Sequence, residues 1–522
     1  MEIISLPLPL FWLSLLVPPV IAMLMEFLRW RDEVQIRALA YISALFLAIP
    51  SFISFWYLYI KGYRVVYDPL FIDLKAQGFG SMGLLVDRLS APIVFGVSLV
   101  TALVSIYSIK YMRHRIEELE REGVQAHSIT VYYTFYLAFA SSMLGVVMST
   151  NMIELYVFLE LSLISSFLLI AIYGYGDRVV VSLIYFVWTH VSSSLILLGV
   201  LYFGLNVGSF DIIDISTLSY VTAYSEVELK GLAMLVPILF VLGLLIKLAA
   251  FGVHVWLPYA HAEAPTPVSA LLSPNMVGLA GYLLVRPGLL LLGGALETLS
   301  TILIAVAFIS IVFGGLLALG ENDTKRLLAY SSVSQMGYIL LGITTLTDYG
   351  IAGAMLHYLT HAIGKAILFM IAGILIMELH GLRNIDRAGG LAKIYPITSS
   401  LAVYGFIHLI GMPPAMGLWS KLLIFFGLVK AYWESPAKLA AIAVIACLSF
   451  LVTVFYATSA LSRLFFGELK EHWDHEEELD EPKASILVLA LSGLLFFLFA
   501  ILASGPLVEA SHELLKAGGV MR

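Results

Sequence analysis

Apolar runs of eighteen or more residues recur from end to end of this 522-residue sequence. Each is long enough to cross the hydrocarbon core of a bilayer as a helix. That pattern fixes the solvent before any motif is considered, because a backbone in lipid must satisfy its own hydrogen bonds. The fold class expected is all-α: a polytopic membrane protein of about fourteen transmembrane helices. The spans lie near 4–28, 36–60, 89–111, 130–149, 152–173, 179–204, 231–257, 267–292, 298–319, 325–345, 350–379, 397–430, 438–466 and 484–504. Only 12% of the residues are charged, about half the share of a soluble domain. The hydrophilic pieces 61–88, 112–128, 205–230 and 467–483 are too short for separate domains. The segment before residue 28 lacks a basic start and a small-residue cleavage site, so it reads as a retained first span.

Several function classes are excluded. No basic stripe points to nucleic acid. No Walker motif, CxxC pair or GxGxxG turn is present, so no cofactor or redox centre of its own is expected. The single cysteine, Cys447, excludes an internal disulfide. In 467–483, His472 and His475 among acids resemble a metal site, but the composition is that of a solvated loop.

Lysine and arginine placement orients the chain. With the N-terminus outside, the inside loops hold sixteen and the outside loops ten of the 29. Lys325 and Arg326 count as inside and Arg286 as outside. Three lysines remain, Lys247, Lys365 and Lys421, and all three lie within spans. A charge at mid-bilayer costs about 2.5–3.5 kcal/mol on insertion scales and normally faces protein interior. A buried lysine can also gain and lose a proton near neutral pH, whereas arginine stays charged.

Other ionisable groups accompany them. Glu160 sits mid-span in "NMIELYVFLELSLISSFLLI" and suits a counter-charge for a buried lysine; the bland alternative is a neutral structural acid. Glu154, at the helix start, reads as structural. In "LLIKLAAFGVHVWLPYAHAEAPTP", Lys247 is followed by His254 and His261, and Gly252 and Pro258 should disturb span 7. In "HYLTHAIGKAILFMIAGIL", His357, His361 and Lys365 recur every four residues, on one helix face. That is the pattern of a proton relay. Two histidines one turn apart also fit zinc, but the adjacent lysine is a poor neighbour for a metal. His190 lies among Thr189, Ser193 and Ser194, residues that also join membrane helices structurally. His408 and Lys421 flank "GMPPAMGLW", where the prolines should break span 12. Broken helices at ionisable groups mark ion sites in transporters. Two such pairs five spans apart hint at a five-helix internal repeat.

The segments "KLAAFGVHVWLPYAHAEAPTPVSALL" and "ENDTKRLLAYSSVSQMGYILLG" closely resemble the best-marked segments of the antiporter-like subunits of respiratory complex I, Mrp-type cation/proton antiporters and membrane-bound hydrogenases. "LLVDRLSAPIVFGVSL" and "HYLTHAIGKAILFMIAG" fit as well, and the resemblance runs from about residue 80 to 465. It implies two inverted five-helix repeats. The units are then 1–128 with three helices, 129–292 with helices 4–8, 293–466 with helices 9–13, and 467–522 with the last helix. It implies a lateral polar axis to which Glu160, Lys247, His357, His361, Lys365 and Lys421 correspond. Span 8 departs from the pattern: relatives with a lysine in "MVK" are matched here by "NMVG", with Gly278.

The resemblance implies an ion-translocating subunit of a redox-driven membrane complex, with protons as the ion and sodium the alternative. Its partners are the lipid bilayer and other integral membrane subunits; its location is the cell membrane. Sparse asparagine, glutamine and cysteine, and no long extension after span 14, favour an archaeal hydrogenase-type setting over an Mrp or complex I subunit. A non-conducting scaffold is the remaining alternative. Two geometric expectations follow. Lys247 and Glu160 should approach to salt-bridge or one-water distance. A hydrated cavity lined by His254 or His261 should lie beside Gly278, with room for a lysine there.

Overall fold

Helices form where the long apolar runs lie, and prolines and glycines decide where they stop. The computed structural model describes residues 3–520 except 125–126, 215, 218, 228–234 and 472–476. His472 and His475 therefore lie outside the described residues. Among the described residues, twelve helices are long and apolar enough to cross a membrane. They are α1 (Leu10–Phe27), α2 (Glu33–Ser54, continued by a π turn to Ile60), α3 (Ala91–Arg121), α4 (Ile129–Met148), α5 (Met152–Tyr173), α6 (Arg178–Val207), the joined α9 (Thr266–Leu271) and α10 (Val277–Leu292), α11 (Gly294–Gly320), α12 (Thr324–Thr344), α13 (Asp348–Glu378), α16 (Pro436–Leu464) and α17 (Glu481–Ala517). The ranges expected for spans 7 and 12 hold interrupted helices instead: α7 (Leu235–Lys247) with α8 (Trp256–Glu263), and α14 (Pro396–Ile410) with α15 (Gly417–Tyr432).

Three boundaries differ from expectation. Residues 3–5 form a strand, and Pro7 and Pro9 delay helix entry to Leu10. That strand, β1 (Ile3–Ser5), pairs in parallel with β2 (Val65–Leu74), which pairs antiparallel with β3 (Gly80–Asp87). The 61–88 piece is thus a sheet capping one face of the bundle. The last helix runs to Ala517 rather than 504, because Glu509 and Glu513 on its final turns each pair with Arg64 at 2.6 Å. Third, Pro258 does not break span 7. It sits in the first turn of α8, where its missing N–H costs nothing.

The actual break spans 248–255. Ala249 takes a left-handed φ of 53° and closes α7, and Gly252 takes φ 94°. In the second break Gly411 is left-handed at φ 86°, and Pro413 and Pro414 withhold the N–H groups a helix would need. A Cβ on Gly411 would lie 2.9 Å from the Lys421 Cδ, and one on Gly417 would lie 2.3 Å from the His408 carbonyl oxygen. Glycine at both positions lets the two half-helices fold back on each other. The bundle centre is α13, packed by α3, α9–α10, α12, α14, α15 and α17. The α13 and α9–α10 spans are wholly buried, whereas α16 is largely exposed.

Candidate functional site

Lys247 is the last residue of α7 and is 1% exposed. The carbonyl end of its own helix carries partial negative charge, which favours a cation there. Its ammonium has no hydrogen-bond partner among the described residues. Glu160, on α5, is the acidic side chain within Coulombic reach of it. The two form no direct ion pair; of the two expected approaches the salt bridge is absent, and Glu160 acts on Lys247 through its charge. The reason is a competitor. His190 on α6 places its Nδ1 3.2 Å from the Glu160 Oε2 while its ring stacks on Phe186. His190 is half exposed, so this pair faces the outside of the bundle. His254 lies in the break, with the Gly252 N–H donating to its Nδ1 at 3.2 Å and its ring stacked on Phe251.

The second cluster is assembled by α12 and α13. Lys365, wholly buried, donates to the Ser331 hydroxyl and to the Leu328 carbonyl of α12. One turn back, His361 faces the Pro274 carbonyl without a well-formed hydrogen bond. A further turn back, His357 is held on both sides, with Nε2 3.1 Å from the Gln335 Oε1 and Nδ1 2.9 Å from the Ser420 Oγ. Ser420 has a second acceptor, the Gly417 carbonyl at 3.0 Å. Its hydroxyl can therefore turn between imidazole and carbonyl as His357 gains or loses a proton. Next to Ser420, Lys421 donates to the Leu409 and Ile410 carbonyls at 2.9 Å each, at the C-terminal end of α14. Its ammonium lies 4.2 Å from the Tyr338 ring centre. An open cavity of about 610 Å³ between α15 and α16 reaches Lys421 from the side of the bundle.

His261 is buried against the Phe369 ring, in Coulombic reach of Lys365 and Lys325. His408 stands edge-on to Tyr404, turned towards Gly493 of α17, and neither of its ring nitrogens has a hydrogen-bond partner among the described residues. The structure thus joins Gln335, His357 and Ser420 in one hydrogen-bonded chain, with Lys421 in Coulombic reach of His357. Lys365 and His361 adjoin it on α13, and Glu160 with His190 forms a separate pair in Coulombic reach of Lys247.

Comparison with known proteins gives this arrangement a family. The family described as NADH:quinone oxidoreductase/Mrp antiporter matches residues 149–457, and the complex I chain 5 N-terminus matches 79–120. The chain belongs to this family of membrane subunits. It is 30% identical over 466 residues to NAD(P)H-quinone oxidoreductase chain 4-2 of Synechocystis sp., covering 87% of this chain and 78% of the relative. It is 32% identical over 417 residues to F(420)H(2) dehydrogenase subunit M of Methanosarcina mazei, covering 79% of each. Its fold matches a chain of respiratory complex I from Thermus thermophilus with a TM-score of 0.80 at 24% identity, covering 98% of this chain and all of that one. It matches a chain of the Mrp complex from Dietzia sp. with a TM-score of 0.78 at 19% identity, covering 98% and 99%. The relatives are subunits of multisubunit membrane complexes.

Within this family fold, the surroundings of Gly278 differ from expectation. A Cβ there would lie 2.5 Å from the Tyr358 ring, so the place expected to hold water is filled by an aromatic side chain of α13. His254 is not beside it either, being turned into its own loop. Sequence reasoning also missed buried charges. Lys325 is wholly buried, donating to the Ala262 carbonyl at 3.1 Å and to that of Ala264, at the end of α8. Arg286 is inside α10, buried and paired with Asp87 of β3. Arg115 and Lys483, also assigned to loops, are buried too. Gln335 and Ser331 escaped notice because uncharged polar residues on an apolar helix commonly serve packing. Their spacing with Tyr338 along α12 was the available signal.

Proposed function

We propose that this chain is the proton-translocating subunit of a redox-driven membrane complex of the hydrogenase or complex I type, in an archaeal setting. The observation that carries the reading is the buried chain Gln335–His357–Ser420, with Lys421 in Coulombic reach of His357 and Lys365 and His361 beside it along α13. Charge in such a place is expensive unless it serves a path. Lys247, His261 and the Glu160–His190 pair supply proton-binding groups in the other half, and His254 and His408 lie at its margins. The two interrupted helices support the division into units 129–292 and 293–466. Each stands fourth in its unit. The excess of lysine and arginine in loops on one side supports an external N-terminus.

The chain's own part is to hold and pass protons. Lys247 binds a proton when the Glu160 charge acts on it and releases it when His190 draws that carboxylate away. His357 takes a proton at Nδ1, and the Ser420 hydroxyl then turns to the Gly417 carbonyl. Each charge moved across works against about 2.3 kcal/mol per 100 mV, so the energy comes from redox chemistry in partner subunits. The redox complexes of both relatives support that source over a sodium/proton exchanger, and the Mrp likeness keeps the exchanger as the alternative. Purification of the intact complex tests the choice. Iron–sulfur or nickel subunits that co-purify, with redox-driven acidification of sealed vesicles lost in Lys247→Ala, bear it out. Small hydrophobic partners alone, with sodium-driven exchange, replace it with the alternative.

A further inference from the structure

The α9–α10 span is interrupted by a π turn, Leu272–Met276, in the wholly buried centre of the bundle. Pro274 accounts for it, since a proline cannot donate to the preceding turn. The distortion turns two backbone carbonyls towards α13. The Asn275 carbonyl accepts from the Tyr358 hydroxyl at 2.9 Å, and the Pro274 carbonyl faces His361. Asn275 itself is wholly buried, and neither its amide oxygen nor its amide nitrogen has a protein partner among the described residues. The same is true of both ring nitrogens of His361. Buried polar groups are almost always satisfied, by protein or by ordered water. Unsatisfied groups on Asn275 and His361, the two residues that flank the Tyr358 contact, therefore mark a place where water is bound. Tyr358 reaches that place because Gly278, one turn beyond Asn275, has no side chain to oppose its ring.

We propose that Tyr358 and Asn275 form the proton-carrying junction between α10 and α13. The Asn275 amide holds water against the Tyr358 hydroxyl and the His361 ring. In each passage a protonated His361 gives its proton to that water, the Tyr358 oxygen takes one from the water, and the phenol's own proton leaves to a second water held by the Asn275 side-chain amide, so His361 has lost one proton and Tyr358 ends unchanged. Asn275 takes no proton and is a positioning residue. The proposal rests on the reading of this chain as a proton-translocating subunit, and its test separates the two.

The test uses the intact complex in sealed vesicles, with protons moved per electron as the readout. Tyr358→Phe keeps the ring against Gly278 and removes only the hydroxyl. It should lower proton movement by about a hundredfold, the low side of what a positioned proton-transfer group contributes, with the complex assembled at wild-type levels. Asn275→Val should do the same, and Asn275→Ser should recover part of the loss by again offering a group to water. A packing role predicts no effect of Tyr358→Phe. Lys247→Ala is run alongside. Unchanged pumping in Tyr358→Phe with pumping lost in Lys247→Ala overturns the junction and leaves the functional reading intact. Unchanged pumping in both variants overturns the functional reading itself.

Discussion

Glu160 is held by His190, with 3.2 Å between carboxylate and imidazole, and not by Lys247, whose ammonium has no hydrogen-bond partner among the described residues. A carboxylate with two candidate partners, one bonded and one only in Coulombic reach, has the form of a switch. Its two states differ in which cation is compensated.

Lys247→Ala should abolish redox-linked proton movement while leaving assembly intact, because it removes a buried charge and adds none. Lys247→Arg should fail as completely. Arginine keeps the positive charge but does not release its proton. His190→Leu should lower pumping several-fold less than Glu160→Gln, since it removes one partner of the carboxylate and not the carboxylate. Vesicle acidification rates for the four variants decide the matter. Wild-type pumping by Lys247→Arg would reduce Lys247 to a fixed charge.

Gly278→Ala should destabilise the subunit. The new methyl would fall 2.5 Å from the Tyr358 ring, and overpacking of this kind costs about 1–3 kcal/mol. Gly278→Lys should be worse. Pairing either with Tyr358→Ala should restore much of the loss by vacating the ring's place. Thermal unfolding of the detergent-solubilised complex measures this; equal stability of Gly278→Ala and wild type would show that the ring is not confined.

The Asp87–Arg286 pair ties β3 to the end of α10 on the sheet face. Removing one partner leaves a buried charge, so Asp87→Asn should cost about 3–5 kcal/mol. Burial of Asp87 opposes its ionisation, but the Arg286 charge and the Ser90 N–H outweigh it and hold the carboxyl below its ordinary value. A depressed carboxyl contributes stability that is complete above its unfolded pKa, near about 3.9, and fades as pH falls through the folded value. The wild-type complex should therefore keep this contribution at pH 5 and lose it only in stronger acid, whereas Asp87→Asn should be weak at both. Melting temperatures at pH 7, 5 and 3.5 test the sign.

What the sequence disclosed and what it hid divide along a physical line. Lys247, Lys365 and Lys421 stood out because a charge inside an apolar run has no bland explanation, and all three are buried. The second break was legible from Pro413 and Pro414. Of the two residues read as breaking the first, Gly252 lies in the break and Pro258 does not, and the left-handed Ala249 that closes α7 leaves no mark in composition. Lys325 looked solvated beside Asn322 and Asp323, yet the carbonyls that receive it lie on α8, about sixty residues away. The filling of the space at Gly278 was hidden for the same reason. Which side chain faces a glycine is set by packing between helices, and a single helix's periodicity does not contain it.

His357 offers a test that distinguishes a path from a scaffold. Gln335 and Ser420 hold opposite nitrogens of its ring, at 3.1 and 2.9 Å. If protons cross the ring, the two contacts act in series. Gln335→Leu and Ser420→Ala should then each slow pumping, and the double variant should pump no more slowly than the slower single one. If both residues only fix the ring, their effects on stability and on pumping should add, as for independent sites. Ser420→Ala alone also removes the hydroxyl that turns between imidazole and carbonyl. The ring then has no hydroxyl to take the proton leaving Nδ1, so pumping should fall even where melting temperature does not. A double variant with pumping at the product of the two single losses would remove His357 from the path and leave Lys421 to be reached by another route.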